Sequence, residues 1–457
     1  MRPEDTPPTG DRALPRAGAA DALRVAAYVL LPSVVCGPVL RRRRAMAAAE
    51  RLGWDRTGIG AVRRLRSRYG DGPLLLPFGR RAALVLAPRD AVDVLDRTPD
   101  PFSPASREKR AALAQFQPHG SLISRGAVRE DRRRVNEDAL DTGQPLHRGA
   151  GRLVRVVREE AGELLPDGGP VAELAWPELE KSWWRTVRRV VFGDAARDDD
   201  LLTDRLARLR AAANWSYLMP RHRLRRARFL AHLRERTAGA EPGSLAAALP
   251  PAAPGTDPWG QVGHWLFAFD AVGMTLPRTL ALLAGHPEAL RRATEEATAG
   301  DPVRPRELPY LRACVRETLR LWPTTPLLLR ETVTATHRGA TTVPAGTTFV
   351  LYTPYLHRSG AAGAEPDRFV PERWLGERDL ARLGVVPFSA GPGRCPGEDV
   401  VLLLAATWLA AVLPGRMFRV TSRTRPGPDG PLPAGLDPFA LRFSVLRPGA
   451  GPAPGDG

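Results

Sequence analysis

A short loop near residue 390, dense in glycine and proline, constrains this chain more than any other feature. It follows the pattern F-x-x-G-x-x-x-C-x-G and contains Phe388, Gly391, Gly393, Arg394, Cys395 and Gly397. Glycines let backbone N–H groups approach a sulfur atom without an intervening Cβ. An apolar run from Val400 to Leu413 predicts a helix directly after the loop, and a helix N-terminus favours a thiolate. Taken alone, the loop is compatible with a buried structural cysteine or with a thiolate ligand for iron.

Two further motifs precede this loop. Glu317 and Arg320 form E-x-x-R within a run, Leu308 to Trp322, that predicts a helix. The spacing of three residues places the carboxylate and the guanidinium on one face. The second motif is F-V-P-E-R-W at 369–374, which contains Arg373. An E-x-x-R alone is weak, because most such pairs lie on solvated helix faces, but the order of the three motifs is specific.

In this order the motifs resemble those of the haem-thiolate monooxygenases, the cytochromes P450, from about Gly53 to about Pro448. The resemblance implies a fold that is mainly α with a small β-rich subdomain, of the soluble bacterial type. It implies haem b as cofactor, with Cys395 as the axial iron ligand. It also places the loop residues around that cofactor, namely Phe388, Gly391, Gly393 and Arg394.

Composition excludes several other classes. Of 457 residues, 43% are hydrophobic, which is enough for a large core. The net charge is +17, and the only lysines are Lys109 and Lys181, so arginine supplies nearly all of the basic excess. With the abundant Ala, Gly and Pro this indicates a GC-rich bacterial coding bias. The arginines are dispersed and form no nucleic-acid module, so we expect no nucleic-acid partner.

Cysteine usage and the N-terminus bear on location. The cysteines, Cys36, Cys314 and Cys395, have neither zinc-site nor disulfide-framework spacing, which indicates a reducing, cytoplasmic compartment. The apolar run from Val25 to Leu40 contains two prolines and is shorter than the ~20 residues that a spanning helix needs. A soluble segment is therefore favoured over a membrane-associated one. We expect a disordered tail at 1–21, this N-terminal segment at 22–52, the haem domain at 53–447 and a disordered tail at 448–457.

The resemblance also assigns charged residues to roles. Arg133 and Arg330 occupy positions that pair with haem propionates in the family, and Arg129 replaces the usual Trp or His. For Arg129, a solvated face or a docking patch is an equal alternative. Arg394 stands one residue after the usual cation position and is a weaker candidate. Glu317, Arg320 and Arg373 match a buried structural triad that braces the cysteine loop.

The segment from His264 to Leu283 matches the oxygen-activating helix but departs from the family pattern. Counting back from Pro287 places the acid at Asp270 and puts Ala271 where the family has an alcohol. Protons would then come from water, from a substrate hydroxyl or from Thr275, which lies ~6 Å further along the helix. Peroxide as the natural oxidant is another possibility. Asp270 could also be a salt-bridged acid on the helix face.

These assignments predict a monooxygenase that inserts one atom of O2 into an apolar small molecule. The alternative is a peroxide-driven or non-oxygenase haem-thiolate protein. The chain has no flavin or iron–sulfur module, so electrons would come from a ferredoxin and its reductase. We expect a monomer active in secondary metabolism, with specificity set by residues 102–125, 201–236 and 324–329.

Overall fold

The protein is mostly helical. The computed structural model describes residues 14–78, 81–166, 172–216, 218, 220–338, 341–360, 363 and 365–446. Its helices are α1 (Ala19–Val25), α2 (Leu31–Val35), α3 (Arg43–Arg51), α4 (Trp54–Tyr69), α5 (Pro88–Asp96), α6 (Arg107–Leu113), α7 (Gly126–Ala139), α8 (Ala150–Leu164), α9 (Trp176–Phe192), α10 (Asp200–Ala213), α11 (Arg223–Ala238), α12 (Pro258–Gly285), α13 (Pro287–Thr298), α14 (Pro309–Leu321), α15 (Thr353–Leu356) and α16 (Glu398–Val412).

The strands form three small sheets. They are β1 (Leu74–Leu76), β2 (Ala82–Leu84), β3 (Phe102–Ser103), β4 (Ala172–Ala175), β5 (Leu327–Thr332), β6 (Thr336–Arg338), β7 (Thr341–Val343), β8 (Thr348–Tyr352), β9 (Met417–Val420) and β10 (Arg442–Leu446). The largest sheet has the order β1-β2-β8-β5-β3, and only its β2–β8 pair is parallel. A second sheet has the order β4-β10-β9, and β6 pairs with β7. The predicted fold, mainly α with a small β-rich part, is confirmed.

The long helix α12 forms the centre of the core. It is apolar almost all round and packs against α9, α11, α14 and α16. A helix that is hydrophobic on every face belongs in a large core or in a membrane. Among the described residues, α12 alone meets the length and hydropathy criteria for a membrane span, but 78% of its apolar window is buried inside the protein. It is therefore a core helix, and it supplies one wall of the interior.

Helices α14 and α16 connect this core to the cysteine loop. They pack against each other, and α14 also contacts α12 and the turn Pro371–Trp374. Like α12, α16 is apolar on nearly all faces, and it begins at Glu398, directly after the loop. The three sequence motifs, distant in the chain, are thereby brought into one layer.

The N-terminal segment is part of the folded body. Val25, just before the π-helical turn Ala26–Leu30, and Val29, within that turn, are buried in a cluster that includes residues of α4. Upstream, Ala17 N–H donates to Leu75 O at 2.9 Å. The disordered tail predicted for 1–21 is therefore wrong for residues 14–21, because residues 15–17 pair with β1 and α1 begins at Ala19. The remainder of that tail, and the tail predicted for 448–457, lie outside the described residues.

Candidate haem-thiolate site

Close backbone packing shapes the cysteine loop. Gly391 has φ +59°, and a Cβ there would lie 2.5 Å from Leu95 O of α5, so only glycine fits. Cys395 N–H donates to Phe388 O at 2.8 Å, which closes the loop on itself. The Phe388 ring packs against the main core. Glycine at 391 and the aromatic anchor at 388 thus fix the position of the cysteine, as the motif predicted.

Burial dominates the acidity of the Cys395 thiol. Burial raises its pKa to about 11, and the donated N–H of Gly397 at the start of α16 only partly offsets this rise. The start of α16 therefore favours the thiolate, as predicted, but burial is the larger effect. A bound metal cation has to displace the proton, as it does for thiolate ligands generally. Cys36 and Cys314, both buried, also have raised pKa values, and neither lies in a comparable loop.

Two buried arginines beside the loop lack an acidic partner. Arg330 is 2% exposed and uses its guanidinium for three neutral oxygens, those of Thr98, Ser389 and Leu329, at 3.0–3.1 Å. Arg129 is 7% exposed and makes no hydrogen bond or ion pair to a described residue. Burial and the charge of Arg129 lower the pKa of Arg330 to about 10.

This pair of unmatched cations fits the haem that the resemblance implies. A haem b carries two propionate carboxylates, and two buried guanidinium groups without acids would be matched by them. Gly393 lets the loop backbone approach Arg330 closely, because a Cβ at that position would lie 2.9 Å from Arg330 Nη2. Cys395 supplies the soft sulfur donor, so the residues present fit the cofactor.

The other two predicted propionate partners, Arg133 and Arg394, are hydrogen-bonded to groups of the protein. Arg133 donates to Glu137 Oε1 at 2.5 Å and to Arg394 O at 2.6 Å, so it fastens α7 to the cysteine loop. Arg394 is exposed and donates to Glu398 Oε2 at 2.6 Å. The assignment of Arg394 to the cofactor is wrong, because its side chain turns outward to the first turn of α16. The role shown for Arg133 is to hold the loop.

The predicted triad forms a buried network. Arg320 donates to both carboxylate oxygens of Glu317, at 2.8 and 2.9 Å, and both side chains are fully buried. Arg373 donates to Glu317 Oε1 at 3.0 Å. Trp374 Nε1 and the backbone N–H of Val370 also donate to this carboxylate, at 2.8 and 3.1 Å. Full pairing of this kind is what allows ionised groups to remain buried.

His357 extends this network to the cysteine loop, and sequence reasoning missed it. Its Nδ1 lies 3.2 Å from Arg320 O, and its Nε2 accepts the N–H of Val386 at 3.0 Å. The second bond requires an unprotonated Nε2, so the proton resides on Nδ1. Burial and the charge of Arg320 lower the pKa of His357 to about 3, which keeps the ring neutral. A lone histidine after β8 carried no motif that could have revealed this role.

One face of α12 remains partly open within the core. His264, Ala268 and Ala271 are half-buried and follow one another at helical spacing, whereas most of their neighbours are fully buried. These three residues mark the partly exposed face of the helix. Ala271, at the predicted alcohol position, offers only a methyl group to that face.

Asp270 belongs to a different stripe of the same helix. Its carboxylate accepts a hydrogen bond from Arg210 of α10 at 2.5 Å, and Arg210 also donates to Val39 O. The side chain is 15% exposed. The alternative of a salt-bridged acid on the helix face therefore describes its geometry, and the pair ties α10 and the N-terminal segment to α12.

Thr275 is no substitute for the missing alcohol. It is 2% exposed, and its hydroxyl donates to Ala271 O at 2.8 Å within α12 itself. A hydroxyl committed to its own helix in this way presents no donor to the open face. Of the three predicted catalytic positions, the structure thus places only Ala271 on the open face.

Comparisons with known proteins agree with the motifs. Residues 262–428, which include all three motifs and α12 from Val262, match the family model for cytochrome P450. The chain is 31% identical over 175 residues to "Probable cytochrome P450 4s3" of Drosophila melanogaster, an aligned region covering 38% of this chain and 35% of that protein. It is 31% identical over 185 residues to "Cyclooctat-9-en-7-ol 5-monooxygenase" of Streptomyces melanosporofaciens, covering 37% and 40%. The chain thus spans about a third to two fifths of the length of these curated relatives.

Proposed function

We propose that this chain, whose residues 262–428 match the cytochrome P450 family model, is a haem-thiolate monooxygenase that inserts one atom of O2 into an apolar small molecule. The observation that carries the proposal is the position of Cys395 in a glycine-shaped loop beside Arg129 and Arg330, two buried cations without acids. A soft sulfur ligand next to two unmatched guanidinium groups suits a planar iron cofactor with two carboxylates. The similar protein of Streptomyces melanosporofaciens is named a monooxygenase.

The chain's own residues have distinct tasks in this proposal. Haem, when bound through Cys395, supplies the chemistry that activates dioxygen. Arg129 and Arg330 hold the propionates and so fix the orientation of the ring. The Glu317 network and His357 keep the loop rigid. The apolar side chains of α12 exclude bulk water and leave an open stripe along which a substrate lies.

Proton supply is the step for which this chain differs from the family pattern. Ala271 has no hydroxyl, Thr275 donates within its helix, and Asp270 is paired with Arg210. Along the described part of α12, protons would then reach the open face through ordered water or through the substrate. These contacts also favour a second candidate, a peroxide-driven enzyme, because peroxide brings its own protons.

Electron donors are proposed to be a separate ferredoxin and its reductase. A groove of about 470 Å³ lies between α7 and the cysteine loop and is a candidate docking site. It is lined by four arginines and four acids, Arg129, Arg133, Arg134, Arg394, Glu130, Glu137, Glu398 and Asp399. Its charge is balanced, so attraction of an acidic partner would depend on the net charge of +17 over the whole chain.

We further propose a cytoplasmic monomer of bacterial origin with a role in secondary metabolism. The arginine-rich composition and the likeness to the Streptomyces enzyme support the origin and role. The burial of Val25 and Val29 against the domain favours a soluble segment over an anchor.

Replacing Cys395 with serine tests the proposed function. The purified holoprotein, reduced and exposed to carbon monoxide, should show the absorption band of a thiolate-ligated haem, and Cys395→Ser should lack it because oxygen replaces sulfur. Cys314→Ser, a buried cysteine away from the loop, should keep the band. A thiolate-type band in Cys395→Ser, or haem content near zero in the wild type, would overturn the proposal.

A further inference from the structure

A second cavity lies between the N-terminal segment and the C-terminal half of α12. Its volume is about 70 Å³, and α3, α4, β8, the residues after α14 and the loop before residue 438 also border it. None of its lining residues belongs to the cysteine loop or to the arginines assigned to the propionates. Five of them carry ionisable groups of the acidic and basic kind, namely Arg41, Glu50, Asp55, Arg278 and Asp437.

The carboxylate of Asp55 has no partner in this cavity. Asp55 lies in the first turn of α4 and makes no hydrogen bond or ion pair with a described residue. Burial raises the pKa of its carboxyl group, and the charges of Arg278, Arg358 and Arg41 only partly offset this rise. A Cβ at Gly435 would lie 2.5 Å from Asp55 Oδ2, so a glycine is needed where the loop passes the carboxylate. Because an ionised acid in the interior is costly without a partner, its charge is available to a ligand.

Tyr352 contributes a second unpaired polar group to the same cavity. It is the last residue of β8 and is 2% exposed, and its hydroxyl makes no hydrogen bond within the part of the chain that the structure describes. Burial and the charge of Asp55 raise its pKa, so the hydroxyl lies within the influence of that carboxylate. A buried tyrosine hydroxyl usually finds a hydrogen-bond partner. The cavity therefore offers a carboxylate and a hydroxyl to the same ligand.

The two arginines of the cavity already have their hydrogen bonds. Arg41 donates to Thr324 O at 2.7 Å and to Gly37 O at 3.1 Å. Arg278 donates to Leu436 O at 2.9 Å. Their guanidinium groups are thus held by backbone carbonyls, and neither forms an ion pair with a described acid. What the cavity lacks is a donor for Asp55, not an acceptor for the arginines.

Charge and lining both favour a cation as that donor. Three acids and two arginines line the cavity, which leaves one negative charge. Asp437 counts among the acids, because burial raises its pKa only to about 6. Aromatic faces attract organic cations as well. The apolar walls include two tryptophans and two methionines, Trp54, Trp322, Met46 and Met274. No group of three His, Cys, Asp or Glu residues suited to a metal ion occurs among the residues searched, so an organic cation fits better than a metal.

We propose that this cavity binds a small primary ammonium ion, which donates to the Asp55 carboxylate and to the Tyr352 hydroxyl oxygen. A volume of about 70 Å³ is several times the ~10–15 Å³ that one water molecule needs, and it suits a cation of a few non-hydrogen atoms. The ligand would contact Pro323, Thr324 and Pro326, next to or within the stretch 324–329 expected to set specificity. It is therefore an effector that orders this wall of the protein, and its binding does not depend on the proposed reaction.

Calorimetric titration and thermal unfolding of the purified holoprotein test the proposal. The probes are methylammonium, ethylammonium and propylammonium chloride, with the matching alcohols as neutral controls and KCl at equal ionic strength. The wild type should bind at least one ammonium ion at one site per chain, with a Kd of about 1 mM or lower. At ten times that concentration the Tm should rise by about 2 °C, whereas the alcohols and KCl should leave it unchanged.

Two variants connect this binding to the cavity. Asp55→Asn should weaken it about tenfold or more, and Tyr352→Phe about threefold, because a charged acceptor contributes more than a neutral one. Asp204→Asn, at an exposed acid of α10, is the matched control and should bind as the wild type does. Without ligand, the Tm of Asp55→Asn should not fall, since the amide buries no charge.

Three results would overturn the proposal. The first is a wild type that binds none of the ammonium ions saturably below about 10 mM, or that binds K⁺ equally well. The second is unchanged binding in Asp55→Asn. The third is a lower Tm of ligand-free Asp55→Asn, which would make Asp55 a structural group. The proposed function stands or falls separately, in the Cys395→Ser test.

Discussion

At the scale of single residues, the site depends on how each charge is matched. Glu317 is surrounded by donors from Arg320, Arg373 and Trp374, so its charge is fully compensated. Arg129 is buried without an acid paired to it and is a position where a ligand is expected. The same physical rule, that an ionised group in the interior needs a partner, distinguishes structural charges from ligand-binding charges.

Removal of the central carboxylate should destabilise the holoprotein. Glu317→Ala removes the carboxylate that Arg320 and Arg373 share, and we expect a loss of about 3–5 kcal/mol in the free energy of unfolding together with poor haem retention. Chemical denaturation and the ratio of haem to protein absorbance measure both. Glu288→Ala, at an exposed ion pair of α13, serves as the control and should change neither. Normal stability and haem content in Glu317→Ala would contradict the triad assignment.

The role of Asp270 can be separated from that of a proton donor. If its task is to tie α12 to Arg210, then Asp270→Asn and Arg210→Gln should depress turnover to a similar extent, whether redox partners or peroxide drive it. Ala271→Thr should raise the fraction of electrons that appear in product, because it adds a donor to the open face. Product yield per electron consumed is the measurement. A selective loss of partner-driven turnover in Asp270→Asn would instead identify this acid as part of the proton supply.

At the scale of elements, α14, β8 and the cysteine loop form one braced unit. Arg320 of α14 bonds Glu317 and lies against His357, which follows β8 and α15 and holds Val386 ahead of the loop. The cysteine is therefore positioned by elements that are distant in sequence. Its rigidity comes from this framework as well as from its own glycines.

This bracing predicts a dependence of stability on pH. The pKa of His357 is about 3 in the folded protein and ~6.5 when unfolded, so the unfolded chain binds the proton more tightly. Its contribution is fully present above pH ~6.5 and is lost as the pH falls below that value, by up to about 1.4 kcal/mol per pH unit. His357→Gln should be less stable at pH 7 and should lose less stability on acidification. His222→Gln, at a partly exposed site, should retain the wild-type slope; an unchanged slope in His357→Gln would refute the assignment.

At the scale of the whole molecule, electrostatic attraction is the interaction that acts over the longest distance. The chain carries a net charge of +17, whereas the charges that line the proposed docking groove balance. Long-range attraction of an acidic partner and short-range fit at the groove are thus supplied by different parts of the surface.

Salt should therefore weaken electron delivery. The association rate with an acidic ferredoxin is expected to fall about tenfold when NaCl is raised from ~0.05 M to ~0.5 M, since screening shortens the range of the attraction. Stopped-flow reduction of the ferric protein measures this rate. Reduction by dithionite under the same conditions is the control for salt effects on the haem. A rate that does not change with salt would argue against electrostatic steering.

The sequence by itself determined the fold class, the cysteine ligand and the triad. Each of these depends on local spacing and residue type, which can be read directly from the amino-acid sequence. Only the tertiary structure decided which way the long charged side chains turn. Arg394 faces outward and Asp270 binds Arg210, because such orientations depend on partners supplied by distant elements. The role of His357 depends on burial in the same way, and no motif encodes burial.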